Sequence, residues 1–351
     1  MKKHNFSAGP SILPQEVFQQ ASEAILNFND SGLSLLEISH RSKDFVAVMD
    51  EARAIVKRLM KLGDDYEVLY LQGGASLQFL MVPFNLLSVD GKAAYTNTGT
   101  WAAGAIKEAK MIGNVDVVAT SKEANYSYIP KEFKVGSEYD YFHCTSNNTI
   151  FGTQMKEFPK VDTLLVCDMS SDIFSRELDF SQFDLIYAGA QKNMGPAGAT
   201  LVVVKKSILG KTGRTIPTYL DYAVHIDKES MSNTPPVFAV YASYLTLKFL
   251  EENGGIAAAE ARNNAKAKLL YDEIDSNPNF QGVSAVEDRS FMNVTFTLTD
   301  ESKQEAFDKA WKAAGISGLN GHRSVGGYRA SIYNAMPIES VQVLVDVMKS
   351  I

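Results

Sequence analysis

Lys192 is the residue of this chain best placed to do covalent chemistry. It lies in Ala188-Gly189-Ala190-Gln191-Lys192-Asn193-Met194-Gly195-Pro196-Ala197-Gly198, a loop of small residues. One apolar run, Phe183-Asp184-Leu185-Ile186-Tyr187, precedes the loop, and another, Thr200-Leu201-Val202-Val203-Val204, follows it. Both read as interior strands. A lysine between interior strands is expected to be partly desolvated, which disfavours its charged form. The neutral amine is a nucleophile that forms a Schiff base with an aldehyde. That chemistry points to pyridoxal 5'-phosphate as cofactor, with Lys192 as its attachment point. A lysine whose stem follows a strand end while its head reaches water has the same local sequence, so the companions of Lys192 decide.

Such a cofactor needs a carboxylate to keep its ring nitrogen protonated. Asp168 ends the run Thr163-Leu164-Leu165-Val166-Cys167, at a strand end where open α/β sheets bind ligands; a helix cap or a ribose-binding acid would look alike. Its phosphate needs backbone N–H groups, and Leu71-Gln72-Gly73-Gly74-Ala75-Ser76 follows a strand and opens a helix. That segment lacks the spacing of a dinucleotide fingerprint and the ending of a P-loop. Trp101, at a helix start after Thr98-Gly99-Thr100, can stack on the ring or belong to the core. Thr149, in Ser146-Asn147-Asn148-Thr149, can face the ring oxygen or simply form a turn. A substrate carboxylate needs a cation with a planar fork. Arg323, set between glycines in Gly321-His322-Arg323-Ser324-Val325-Gly326-Gly327, is one candidate, and the pair His40-Arg41 is another. Either arginine can equally be a solvated surface residue. In chain order the groups run phosphate cup, stacker, ring-oxygen partner, acid and lysine, each after a strand.

The elements that must position them alternate. Helices are expected from Pro14 through Phe28 and from Lys43 to Leu62, the second capped by Ser42 and apolar at helical spacing from Phe45 to Leu59. Strand-like runs follow at residues 67–71, 92–96, 115–119, 139–144, 163–167, 185–187 and 201–204. Several are continuously apolar, as a parallel sheet covered on both faces requires. The expected architecture is α/β, a large domain over 14–253 with a mainly parallel sheet flanked by helices. After helix Val237–Glu252 and the break Glu252-Asn253-Gly254-Gly255 the pattern becomes helix 256–274, strand 293–298, helix 301–314, strand 329–333 and helix 338–348. Residues 254–351 with 1–13 are expected to form a smaller α+β domain.

The 351 residues carry a net charge of −7, which argues against a nucleic-acid surface. Cys144 and Cys167 lie in apolar runs, read as buried free thiols, and no Cys/His spacing of a metal site is present. No apolar run reaches the ~18 residues of a membrane span, and the first residues lack the apolar core of a signal peptide. A cytoplasmic enzyme is expected.

Several segments make the resemblance specific. The lysine motif from Tyr187 to Gly198 resembles that of the phosphoserine aminotransferases. So do Asn5-Phe6-Ser7-Ala8-Gly9-Pro10, Glu37-Ile38-Ser39-His40-Arg41-Ser42, Cys167-Asp168-Met169-Ser170-Ser171-Asp172, Asn233-Thr234-Pro235-Pro236 and the stretch from Gly321 to Ser331. The resemblance runs from Asn5 nearly to the C-terminus. It implies the aspartate-aminotransferase-like fold (fold type I) and a homodimer with active sites at the interface. It implies that Lys192 carries the cofactor, Asp168 pairs with its ring nitrogen, Trp101 stacks on it and Thr149 lies by its phenolate oxygen. Ala75, Ser76 and Gln191 would hold its phosphate, with Asn233 and Thr234 contributed across the dimer. His40, Arg41, His322 and Arg323 would bind substrate. The implied reaction moves an amino group from glutamate to 3-phosphohydroxypyruvate; some bacterial members also use a phosphorylated hydroxythreonine in making the cofactor. One departure stands out. Some members carry an arginine for the substrate phosphate where this chain has Ser76, followed by Leu77.

A serine– or alanine–glyoxylate aminotransferase would need no second anion pocket, and the two basic pairs speak against it. A cysteine desulfurase would need a loop cysteine. A nucleotide-binding dehydrogenase or a non-catalytic binding module would leave the Gln191-Lys192 loop unexplained.

Overall fold

The computed structural model describes residues 3–351. Seven strands form its central sheet, in the spatial order Tyr66–Leu71, Thr200–Lys205, Leu185–Gly189, Leu164–Asp168, Tyr141–Thr145, Lys92–Asn97 and Asn114–Thr120. Neighbours are parallel except around Thr200–Lys205, which runs antiparallel to both of its partners. The continuous apolar runs are explained by burial on two sides. Successive side chains alternate across a strand, and here both faces are covered. Tyr70, Ile186, Ala188, Leu201 and Val203 pack toward helices Lys43–Met60 and Val237–Glu252. Leu69, Leu185, Tyr187, Val202 and Val204 pack toward helices Gly74–Leu86 and Thr100–Ala109.

Helix boundaries follow local chemistry. The Ser42 hydroxyl accepts from Phe45 N at 3.3 Å, capping Lys43–Met60 as expected. That helix stops two residues short of Leu62 because Lys61 turns left-handed, at φ 55°. The first helix is Gln15–Leu26 and ends before Phe28 because Asn27 goes extended.

The antiparallel strand has a positional consequence. Thr200 pairs with both Gly189 and Leu71, so the loop from Ala190 to Ala199 leaves and re-enters the sheet at one edge. The strands ending in Leu71, Asn97, Thr145 and Asp168 finish at that same edge. The Gly73–Ser76 turn, Trp101 and Thr149 follow three of those ends, Asp168 is the fourth, and Lys192 lies in the loop; Asn233 and Thr234 lie elsewhere, ahead of helix Val237–Glu252.

Beyond helix Val237–Glu252 lies a smaller antiparallel sheet, Phe280–Gly282, Asn293–Leu298 and Tyr328–Ser331, backed by helices Gln304–Ala313 and Ile338–Lys349. Phe280, Phe296, Phe307 and Tyr328 pack ring against ring at its centre. The N-terminal residues join this core: His4–Asn5 pairs parallel with Ile316–Ser317, and Phe6 is fully buried there. Helix Gly255–Ser276 contributes Ile256 and Ala259 to the large core and Ala267, Leu270 and Ile274 to the small one. No helix among the described residues is long and apolar enough to cross a membrane.

Candidate active site

Asp168 is the last residue of its strand and is buried. Its Oδ1 accepts from Ser170 N at 2.9 Å and from Ser170 Oγ at 2.6 Å. No described cation pairs with it within 4 Å, and burial pushes its carboxyl above the ordinary range, opposed by the Ser170 hydrogen bonds and by the charge of Lys192. Lys192 lies in the turn between Gly189 and Thr200. Its Nζ donates to Thr149 Oγ1 at 2.8 Å and lies 5.9 Å from the Trp101 ring centroid. Burial brings the Lys192 amine down to about 8; the charge of Arg329 lowers it further, while Asp168 and Asp172 oppose the shift. The lysine expected to be desolvated from its neighbours in sequence is therefore desolvated in space.

The loop is held from outside the sheet. Ser11 N donates to Gln191 O at 3.0 Å, and the Ser11 hydroxyl donates to Lys192 O. Gly9 (φ +146°) passes so close that a Cβ there would sit 3.4 Å from Lys192 Cγ. The segment ahead of the first helix thus forms one wall of the lysine's surroundings.

The cavity around Nζ, about 130 Å³, is lined by Ala75, Ser76, Trp101, Thr149, Asp168, Gln191 and Lys192 among others. All seven are residues singled out from the sequence. Gly73 and Gly74 both have positive φ, and no side chain caps the helix they open, so the N–H groups of that terminus are left for an anion. Trp101, in the first turn of its helix, keeps 41 % of its surface exposed. Gly152, at the tip of the hairpin that carries Thr149, has φ +74°, and a Cβ there would collide with Thr295 Oγ1.

Other expected residues do not line this cavity. Asn233 and Thr234 meet Gln72 instead: Asn233 Nδ2 donates to Gln72 Oε1 at 3.0 Å, and Gln72 Nε2 donates to Thr234 O at 2.8 Å. His40 and Arg41 sit in the turn before helix Lys43–Met60; Arg41 is exposed, and His40 Nε2 is buried with no described partner. Arg323 is exposed in a turn, while His322 shares a 2.7 Å hydrogen bond with Ser324 Oγ. Burial first, then the charges of Arg329 and Arg323, hold the His322 imidazole below its usual range.

Arg329 was missed as a candidate. It lies on strand Tyr328–Ser331; its Nη1 is 3.5 Å from Thr149 O, and its Nε is buried with no described partner. No described carboxylate lies within salt-bridge distance, and burial holds the guanidinium below its usual range. A partly buried arginine without a counter-ion, beside the lysine, is better placed for a substrate carboxylate than Arg323. The signal was an arginine in an apolar strand with no acid nearby in sequence, Tyr328-Arg329-Ala330-Ser331-Ile332.

Cys144 and Cys167 are buried and unbonded, with sulfurs 3.7 Å apart. Burial pushes the Cys167 thiol well up, which makes it a poor nucleophile.

The family described as aminotransferase class-V matches residues 3–344. A phosphoserine aminotransferase of Flavobacterium johnsoniae is 70 % identical over 352 residues, spanning 100 % of this chain and 99 % of that one. The solved phosphoserine aminotransferase of Bacillus circulans subsp. alkalophilus superposes with a TM-score of 0.96 at 44 % identity, covering 99 % of this chain and 98 % of that one. A PLP-bound phosphoserine aminotransferase of Trichomonas vaginalis superposes with a TM-score of 0.94 at 36 % identity, covering 99 % of this chain and 100 % of that one.

Proposed function

The chain belongs to the class-V aminotransferase family, and on that premise we propose that it moves the amino group of L-glutamate to 3-phosphohydroxypyruvate, giving O-phospho-L-serine and 2-oxoglutarate. One observation carries the reading: a lysine amine at about 8 shares one cavity with an unpaired buried carboxylate, a half-exposed indole and an uncapped helix N-terminus. Those groups fit pyridoxal phosphate. Asp168 has Oδ2 free of any described partner for the ring nitrogen, and Trp101 has an open face for the ring. The terminus at Gly74, Ala75 and Ser76 offers N–H groups to the phosphate, and Thr149 offers a hydroxyl beside the lysine. When bound, the cofactor supplies an aldehyde that joins amines and a ring that withdraws electrons from the carbon bearing the nitrogen.

The rest is the work of this chain. Lys192 Nζ, held by Thr149, would take the proton from the substrate α-carbon and deliver it to the carbon that was the cofactor's aldehyde, a role suited to an amine titrating near the working pH. Asp168 keeps the ring nitrogen protonated. Arg329 grips the α-carboxylate. Arg323 and Arg41 supply positive charge for the distal phosphate, and His322 and His40 supply ring N–H groups, since Ser76 brings no charge. In a homodimer, as the resemblance implies, Asn233 and Thr234 would exchange their contacts with Gln72 for the phosphate cup of the second copy. Residues 14–253 hold the cofactor groups, and 254–351 with 1–13 supply Arg329 and the wall at Gly9. Glutamate and keto acid take turns at one site, so the kinetics are ping-pong.

A coupled assay with 3-phosphohydroxypyruvate and with hydroxypyruvate tests the substrate. Charge-assisted bonds to a phosphate contribute about 1.5–3 kcal/mol each, so the phosphorylated acid should lead in kcat/KM by roughly a hundredfold. Equal rates would remove the phosphate pocket. The lysine has its own test. Only the neutral amine reacts, so covalent uptake of pyridoxal phosphate by the apoenzyme should climb about tenfold per pH unit below 8 and level off above it. Uptake still climbing at roughly pH 10, as for an ordinary lysine, would contradict the desolvated site.

A further inference from the structure

Thr149 and Arg329 lie on separate parts of the chain, yet the reaction as read above needs the lysine and the carboxylate site at a fixed separation. The direct contact between these two parts at the site is weak, a 3.5 Å approach of Arg329 Nη1 to Thr149 O. A stronger connection runs beneath it. Asn147, two residues before Thr149, donates from Nδ2 to Asn293 Oδ1 at 2.8 Å and to Ser171 Oγ at 2.8 Å. Asn293 Nδ2 in turn donates to Ser331 Oγ at 2.9 Å and to Tyr333 Oη at 3.1 Å. Ser331 is two residues beyond Arg329 on the same strand, so the two side chains lie on the same face. Tyr333 Oη donates to Ala8 O at 2.7 Å, next to the Gly9 that packs on Lys192.

We propose that Asn293 is a positioning residue: its amide sets the separation between the carboxylate-binding Arg329 and the Lys192–Thr149 centre. This rests on the transaminase reading, because it needs Arg329 to hold substrate. Three properties suit Asn293 to the task. It is fully buried, as are Ser331 and Tyr333, so water cannot stand in for its bonds. Its side-chain amide uses both donors and its acceptor in this one network. The direction of the network is set as well, because Ser290 Oγ donates to Asn147 Oδ1, leaving only the Asn147 Nδ2 to reach Asn293.

The neighbouring segment is anchored without Asn293. Lys266 Nζ donates to the carbonyls of Ile332 and Tyr333 at 2.9 and 2.6 Å, and Asn334 N donates to Asn193 Oδ1 at 2.9 Å. Arg329 itself keeps its backbone bond to Leu319 O at 2.8 Å and its pairing with Thr295, whose hydroxyl donates to Phe151 O at 3.0 Å, so loss of the Asn293 amide removes the buried side-chain tie at Ser331 and shifts the strand without releasing it. A shift of about 1 Å there suffices to cost up to about a hundredfold in productive binding.

The test compares holoenzymes carrying Asn293→Leu, Ser331→Ala and Arg329→Leu with the wild type. Asn293→Leu should raise KM for glutamate and for the keto acid at least tenfold, with kcat within about threefold. Ser331→Ala, which removes a single bond and no bulk, should shift KM in the same direction by a smaller factor. The apoenzyme gives a second readout: as the Arg329 charge moves off, the pH midpoint for covalent cofactor uptake by Lys192 should rise in Asn293→Leu, as it should in Arg329→Leu. Raised KM in Arg329→Leu with wild-type KM in Ser331→Ala and in Asn293→Leu would overturn the positioning role and leave the transaminase reading standing. Unchanged KM in Arg329→Leu would overturn the carboxylate site and the inference with it. A loss of kcat and of cofactor affinity at unchanged KM would mark Asn293 as merely structural. Should Asn293→Leu fail to fold, Ser331→Ala and its uptake midpoint decide.

Discussion

Lys192→Ala should lose about 10⁴-fold or more in kcat while the protein still folds and still binds pyridoxal phosphate without a covalent bond. Proton transfer by a positioned side chain contributes about 10²–10⁴-fold, and Lys192 also provides the covalent anchor. No other described amine can take its place: Thr149 Oγ1 holds Lys192 Nζ at 2.8 Å, and no second lysine lines the cavity. Binding should survive because Asp168, Trp101 and the helix terminus at Gly74 are untouched. Single-turnover absorbance with glutamate, together with the visible spectrum of the dialysed protein, reads both effects. A small exogenous amine should restore part of the rate, since the space vacated by the side chain opens into the cavity. Near-wild-type turnover in Lys192→Ala would remove the central assignment.

Asp168→Asn should slow both half-reactions by roughly 10³-fold, at the upper end of what removal of one preorganised stabilising group costs. The substitution keeps the shape and the acceptor for Ser170 but removes the charge that favours a protonated ring nitrogen. It makes a second demand of opposite sign to that of Arg329→Leu. The Asp168 carboxylate raises the affinity of Lys192 for its proton, so its loss should move the Lys192 midpoint below about 8. Both half-reactions followed separately by stopped flow, with the uptake profile against pH, check the pair of effects. If Asp168→Asn kept full rates, the carboxylate would have no part in the electron withdrawal.

The large sheet was legible because burial on both faces writes itself into consecutive residues. The run Leu201-Val202-Val203-Val204 can be nothing but interior when every one of its side chains is covered. The groups on the cavity wall were legible for a related reason: each follows such a run, and the strand ends share one edge. Two-residue pairings such as His4–Asn5 with Ile316–Ser317 leave no periodic trace, so they were not. Arg329 shows a deeper limit. Its role depends on having no counter-ion in space and on lying beside Thr149, 180 positions away in the chain; the local sequence shows only an arginine in an apolar strand with no acid nearby, and says nothing of Thr149. The glycines around Arg323 are a local signature, and they drew attention to a side chain that stands exposed. Asn147 and Asn293 were hidden in the same way: one sits in what reads as a polar turn and the other opens a strand, and only the fold joins them.

The chain has two tryptophans, and the fold puts them to different uses. Trp311 is sealed in the C-terminal core, 4 % exposed, with its indole N–H donated to Asp308 Oδ1 at 2.9 Å. Trp101 stands open on the wall beside Lys192. Trp101 is open to quenching by direct contact with whatever stacks against it, whereas Trp311 is shielded from contact by its burial. The molecule thus carries an intrinsic optical gauge of occupancy, with no label to attach.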